Sequence, residues 1–194
     1  MTNAIKWLWA GLGVAAILQG CALHNQDIRI DPNIDMPKSI TGSDKTIGLA
    51  VSDARETKKL GEVGDPNRQM FDIAVNEDPS PAIRTRVAAA LGKLGYKVEP
   101  YQEGMEPSLK IEVQTLKLNS DKRALDFLTT LHAEVTAHAH SGTESFDKTF
   151  TVDQSMNTAG PAYKRDTTRL VNGAVSMALT DLLSDQQLLD TLNK

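Results

Sequence analysis

The chain has 194 residues, of which 40% are hydrophobic and 24% charged, the composition of an ordinary globular protein and not of a disordered, collagen-like or polytopic membrane chain. Its 25 Asp plus Glu outweigh 21 Lys plus Arg, a formal net charge of -4, which argues against nucleic acid as a partner, because backbone binding needs clustered excess cation. One compact domain is the natural reading of this length.

Lys6 is the only charge among the first 20 residues, and Trp7 to Leu18 forms an uncharged, mostly apolar run that ends in Leu18-Gln19-Gly20-Cys21. A spanning helix needs about 20 apolar residues, so this shorter run fits the hydrophobic region of a secretory signal. Cys21 is the only cysteine, so the chain has no internal disulfide. Its place after Leu-x-Gly resembles the lipobox of bacterial lipoproteins, in which the thiol takes up diacylglycerol before cleavage between Gly20 and Cys21. Residues 1–20 are then a signal peptide, and lipidated Cys21 is the mature N-terminus. One acyl chain holds a protein to a membrane marginally, at about 0.8 kcal/mol per buried methylene, so the two or three chains of a lipoprotein make a permanent anchor. Ala22, where an Asp would retain the protein at the inner membrane, implies an outer-membrane anchor with a periplasm-facing body in a Gram-negative source.

Residues 21–43 form the lipidated N-terminus followed by a tether or an edge strand. Pro32 and Pro37 interrupt the segment while Ile28, Ile30 and Ile34 keep even spacing, which suits either. Residues 44–194 are expected to be a single periplasmic α/β domain. Ile47, Leu49 and Val51 alternate with Gly48, Ala50 and Ser52, a strand small on one side. The polar stretch from Lys58 to Pro79, with Gly61, Gly64, Asp65 and Pro66, reads as a loop. Ser80 stands as N-cap with Pro81 at the first helical position, and Ile83, Val87, Ala90, Leu91 and Leu94 make one apolar stripe closed by Gly95. Tyr96 to Val98 offers a short strand.

Three longer strands follow. Leu109, Ile111 and Val113 hold one phase and Leu116 and Leu118 the other, so a bulge near Gln114 and Thr115 keeps both sets on the core face. Leu131, Ala133, Val135, Ala137 and Ala139 alternate with His132, Glu134, Thr136, His138 and His140. Ser141-Gly142-Thr143 supplies a hairpin into Phe146, Phe150 and Val152, where Lys148 falls in the apolar phase. Leu170, Val171, Ala174, Val175, Ala178, Leu179, Leu182 and Leu183 mark a helix with a broad buried face. Ser184 and Gln187, at capping-box spacing, restart it into Leu188, Leu189 and Leu192. The expected fold is α+β, a two-layer sandwich with a mostly antiparallel sheet of about four strands and two main helices packed on one face.

The lipobox, the Ile28-x-Ile30-x-Pro32 segment, a strand ending in Asp53-Ala54-Arg55 with Leu60-Gly61 beyond, and the stretches Val171-Asn172, Leu179-Thr180-Asp181 and Leu183-Ser184-Asp185 together resemble the YajG family of bacterial lipoproteins over nearly the whole chain. That resemblance implies an outer-membrane lipoprotein, and it brings no established active site to carry over.

The residues offer little catalytic chemistry. There is no Gly-x-Ser-x-Gly elbow, no phosphate-binding Gly-x-x-x-x-Gly-Lys and no thiol left after lipidation, so no enzyme activity and no cofactor are expected. His138 and His140 lie about 7 Å apart on one strand face, close enough to converge on a metal, but a site needs a third and usually a fourth ligand. Their expected place is a solvated sheet face with His132. Asp53 and Arg55 are expected to pair and fix the loop after their strand more than to serve a reaction. Two readings stand. The first is a lipid-anchored, noncatalytic accessory or adaptor module that holds an envelope-protein or cell-wall partner. The alternative is a periplasmic metal- or small-ligand-binding protein using the His132, His138 and His140 face.

Overall fold

The computed structural model describes residues 23–36, 41–42 and 44–194. Gly20 and Cys21, the expected cleavage and lipidation positions, lie outside the described residues. Along the chain run β1 (Gln26–Asp27), β2 (Thr46–Asp53), β3 (Lys59–Asp65), β4 (Gln69–Ala74), α1 (Ser80–Lys93), β5 (Lys97–Pro100), β6 (Ser108–Lys122), β7 (Phe127–Ser141), β8 (Glu144–Thr158), α2 (Lys164–Leu183) and α3 (Gln186–Leu192).

The α+β class holds, but the expected single, mostly antiparallel sheet of about four strands is corrected. A five-stranded sheet has the order β5-β2-β6-β7-β8, and a three-stranded sheet the order β1-β4-β3. Both are mixed. β2 is parallel to β5 and β6, whereas β6, β7 and β8 form an antiparallel meander; β1 is parallel to β4, and β3 antiparallel to it. Period-two patterning places a strand's faces but carries no direction. Direction here comes from the connections: α1 returns the chain so that β5 runs alongside β2, and the next loop then crosses the outer face of β2. Met105 occupies the space beside Gly48 where a side chain would stand, and Gly48 N–H donates to Pro107 at 3.0 Å.

The stretch from Lys58 to Pro79, expected as a loop, contains the β3–β4 hairpin. Asp65 turns it, its Oδ1 accepting from Asn67 N–H at 3.0 Å and its carbonyl from Arg68 N–H at 2.8 Å. Leu60, Val63, Ile73 and Val75 are buried. A register shift between Lys59 and Gly61 breaks their alternation, so the sequence shows no clean period. β3 lies against the second half of β6, beyond the point where β2 ends. Gly61 permits that approach, since a Cβ there would fall 2.0 Å from the Leu118 carbonyl oxygen.

The three longer strands follow the sequence closely. The β6–β7 register shifts between Val113 and Thr115, leaving Gln114 as the bulged residue, and Ile111, Val113, Leu116 and Leu118 are all buried. The two-residue turn Gly142–Thr143 joins β7 to β8, with Ser141 opposite Glu144. On the inner face α1 packs on β2 and β5, while α2 and α3 pack on β7 and β8. Ile83, Leu91, Leu179, Leu182 and Leu188 are fully enclosed there. Along the same layer Ile28, Ile30, Ile34 and Met36 are buried. Asp31 and Asn33 N–H groups in this segment donate to Asn172 Oδ1 at 2.6 Å and Ser176 Oγ at 2.9 Å on α2.

Both helix starts differ from the sequence reading by one residue. Ser80 is inside α1, and Asp78 Oδ1 accepts its N–H at 2.9 Å. α3 is capped by Asp185 and not Ser184; its Oδ1 accepts from Gln187 and Leu188 N–H at 2.9 and 3.2 Å. A carboxylate caps as well as a hydroxyl, so the spacing rule alone did not choose between neighbours.

Candidate functional site

With the helices covering one face of the five-stranded sheet, the polar phase of β6, β7 and β8 makes up the other. β7 presents His132, Glu134, Thr136, His138 and His140 there because Leu131, Ala133, Val135, Ala137 and Ala139 are drawn into the core. The hairpin register sets Asp153 opposite His132 and Asp147 opposite His138. His132 Nδ1 lies 2.8 Å from Asp153 Oδ1, and its Nε2 lies 3.3 Å from Glu134 Oε1. The bond to Asp153 chiefly holds the His132 pKa above its ordinary value; burial opposes it, and Glu134 adds to the rise. His138 Nδ1 sits 2.5 Å from Asp147, and His140 Nε2 lies 3.2 Å from Glu106.

The three histidines are therefore distributed, each to different carboxylates. His132 and His138 stand six residues apart on a strand, about 20 Å, so the structure does not bring them together. His138 and His140 do share a hollow of about 350 Å³ with Tyr101, Glu106 and Lys110. Among the described residues no group of three or more His, Cys, Asp and Glu side chains is placed to hold a metal ion.

A larger groove of about 900 Å³ opens where the β2–β3 loop faces the bulged stretch of β6. Thr115 and Glu134 form part of its floor, and they begin a chain of hydrogen bonds that continues across three strands beyond the groove. Thr115 Oγ1 donates to Glu134 Oε2 at 2.7 Å, Glu134 reaches His132, and His132 reaches Asp153. The Thr115 hydroxyl, then His132, lower the Glu134 pKa. Thr136 and Thr149 hydroxyls lie 2.9 Å apart, and Gln114 Nε2 donates to Glu112 at 2.8 Å. The bulge shapes this floor. By inserting Gln114 it brings Thr115 opposite Glu134.

Arg55 forms one wall of the groove. Its Nε and Nη2 donate to Asp53 Oδ1 and Oδ2, both at 2.7 Å, and its side chain is 2% exposed against 19% for Asp53. Ala54 N–H continues the ladder to Val113 at 3.0 Å, so the bidentate pair locks the chain where it leaves β2. Arg55 Nη1 is buried without a hydrogen-bond partner among the described residues.

Sequence reasoning paired Asp53 with Arg55 and placed Glu134 on the face of the three histidines, but it paired no histidine with a carboxylate. For Asp147 and Asp153 a signal was present: counting back from the Gly142–Thr143 turn pairs His138 with Asp147 and His132 with Asp153. Glu106, on a loop, and Thr115, shifted by the bulge, carried none.

Residues 32–193 match a family described as uncharacterized lipoprotein. No curated protein matches the sequence. Among solved structures, protein XCC0632 of Xanthomonas campestris, a DUF330 protein, is similar with a TM-score of 0.52 at 15% identity, covering 87% of this chain and 96% of its own; at that identity the likeness is one of fold. Lipoprotein GNA1162 of Neisseria meningitidis aligns with a TM-score of 0.34 at 14% identity, over 73% of this chain and 99% of its own. Among the described residues no helix is long and apolar enough to cross a membrane.

Proposed function

The chain belongs to the uncharacterized lipoprotein family, and from that membership we propose that it is a YajG-type, lipid-anchored outer-membrane lipoprotein whose periplasm-facing domain is a noncatalytic accessory module. The observation that carries the anchor is Cys21, the one cysteine of the chain, placed directly after an apolar run and Leu18-Gln19-Gly20. Membership in a lipoprotein family, shown over residues 32–193, supports lipidation as the role of that thiol. Ile28, Ile30 and Pro32, Asp53 to Arg55, and Leu60-Gly61 support the YajG-type assignment; the structure gives them work in core packing, a buried ion pair and a close backbone approach.

The outer sheet face supports the accessory reading. Thr115, Glu134, His132 and Asp153 bond one another across the strands, and the groove over Thr115 and Glu134 is wide and open, with polar and apolar side chains mixed in its lining. Such a surface suits docking of an envelope-protein or cell-wall partner better than enclosure of a small substrate.

The test is Cys21→Ser in the native host, read by fatty-acid labelling and by fractionation on a density gradient. Loss of label and of co-sedimentation with the outer membrane is expected. Unchanged labelling and fractionation overturn the lipoprotein reading.

A further inference from the structure

We propose that the end of the domain from which Cys21 emerges lies flat on the phospholipid surface, with Leu125 inserted among the acyl chains. The inference rests on acylation of Cys21 and adds to it an orientation. β1 runs parallel to β4 with Gln26 opposite Ile73, and Asn25 Oδ1 accepts from Asp72 N–H at 3.1 Å. Followed back toward Cys21, the chain therefore heads for the β3–β4 turn. The four residues from Asn25 to Cys21 reach at most about 14 Å, so the acylated sulfur is confined to that end.

The β6–β7 turn is at the same end. Lys122 Nζ donates to Asp65 Oδ2 at 2.7 Å, tying the two turns side by side. At the tip of the β6–β7 turn Leu125 is 94% exposed, more than any other large apolar residue described. A lone exposed leucine is ordinary; one held at the tip of a turn, beside the point where the lipid chains join, is placed to enter the bilayer. Arg123 on the same turn and Arg68 on the neighbouring β3–β4 turn are exposed cations for headgroup phosphates; with Lys122 they stand against Asp65, Asp121 and Asp126, so the end is close to charge balance and contact needs no strongly anionic membrane. Tyr163 adds an amphipathic ring, 47% exposed, next to Ala162, whose carbonyl accepts from Gln26 Nε2 at 2.9 Å. Tyrosine prefers the headgroup level.

The acyl chains already supply retention, so Leu125 sets the angle at which the domain stands. β6, β7 and β8 each have 15 residues. At about 3.3 Å per residue they carry the Gly142–Thr143 turn up to about 50 Å from the surface, and they hold the groove beside Arg55 between the two.

The experiment uses the full-length acylated protein carrying Leu125→Cys, Met177→Cys or Thr143→Cys. Cys21 sulfur is blocked by its thioether, so a nitrobenzoxadiazole dye labels the introduced thiol alone. In vesicles of phosphatidylethanolamine and phosphatidylglycerol, lipids with a nitroxide on the acyl chain should quench the dye at 125 at least twofold more than at 177 or 143. Met177, exposed but apolar and on α2, controls for simple stickiness. Equal quenching at all three sites, or a buried dye at 125 that ignores the nitroxide, as a protein partner or a second copy would produce, overturns the orientation while acylation confirmed by mass leaves the lipoprotein reading intact. Material whose Cys21 carries no lipid overturns both.

Discussion

Lys148 directs its ammonium into the helical layer, where Nζ donates to Asp185 Oδ2 at 2.6 Å while the other carboxylate oxygen of Asp185 caps α3. Lys148 Nζ also lies 5.0 Å from the centre of the Phe150 ring. β8 is an edge strand of 15 residues, and an inward-pointing charge on such a strand discourages pairing with another sheet. This explains why a lysine interrupts the apolar phase of β8: the position faces the rim of the core, and a carboxylate waits for it.

Burial pushes the Asp185 pKa up, but Lys148 and the two backbone N–H groups together outweigh it and leave the carboxyl below 3.8. A carboxylate depressed in the folded state contributes stability that is complete above its unfolded pKa and lost as pH falls through the folded value. Asp185→Ala is expected to cost about 1 kcal/mol at pH 7 through the cap. Asp185→Asn keeps a capping oxygen and should cost less, the half-exposed lysine adding little. Its deficit should shrink as urea denaturation is repeated at successively lower pH, from 3.8 down through the lowered folded value; a gap unchanged with pH would remove the ion pair from the account.

Arg55→Ala should destabilise the domain by about 2 kcal/mol, the scale of a charge-assisted bond, because it strips Asp53 of a bidentate partner. Arg55→Lys should recover little of this, since an ammonium cannot match both carboxylate oxygens. Thermal melts of both variants check the claim. Full stability in Arg55→Ala combined with loss of partner capture would make the pair a recognition site instead.

His132 titrates above its ordinary 6.5 in the folded protein. Its contribution to stability is then fully present below the unfolded pKa and disappears as pH rises through the folded one. Proton NMR of the imidazole should give a pKa above 6.5 that Asp153→Asn moves down. The stability gap between wild type and His132→Gln should be greatest in mildly acidic buffer and vanish in alkaline buffer.

Leu91 and Leu179 are fully buried on α1 and α2. Leu→Ala at either should cost about 2 to 5 kcal/mol, measured by chemical denaturation. A loss under about 0.5 kcal/mol at both would refute the helical packing.

Gly61→Ala should cost about 1 to 3 kcal/mol, since a methyl group has no room beside the Leu118 carbonyl and the hairpin must move off β6. Gly92→Ala, with nothing within 4 Å of the added carbon, serves as the tolerated control.

Wherever one face of an element is buried along its length, the sequence alone determined the structure. The stripe of α1, the broad face of α2 and the alternation of β6, β7 and β8 all arise because burial repeats with the backbone period, and even the bulge at Gln114 shows as a change of phase. The carboxylate pairing of His132 and His138 was implied by the same register and the Gly142–Thr143 turn. What tertiary structure decided was everything set by neighbours remote in the chain. The β3–β4 hairpin holds its place because Gly61 meets Leu118, and β2 lies parallel to β6 because a loop crosses it at Gly48. Lys148 is tolerated because α3 brings Asp185 to it, and the β3–β4 and β6–β7 turns lie side by side because Lys122 reaches Asp65. Each depends on contacts between distant segments, and local periodicity carries no information about which distant segment arrives.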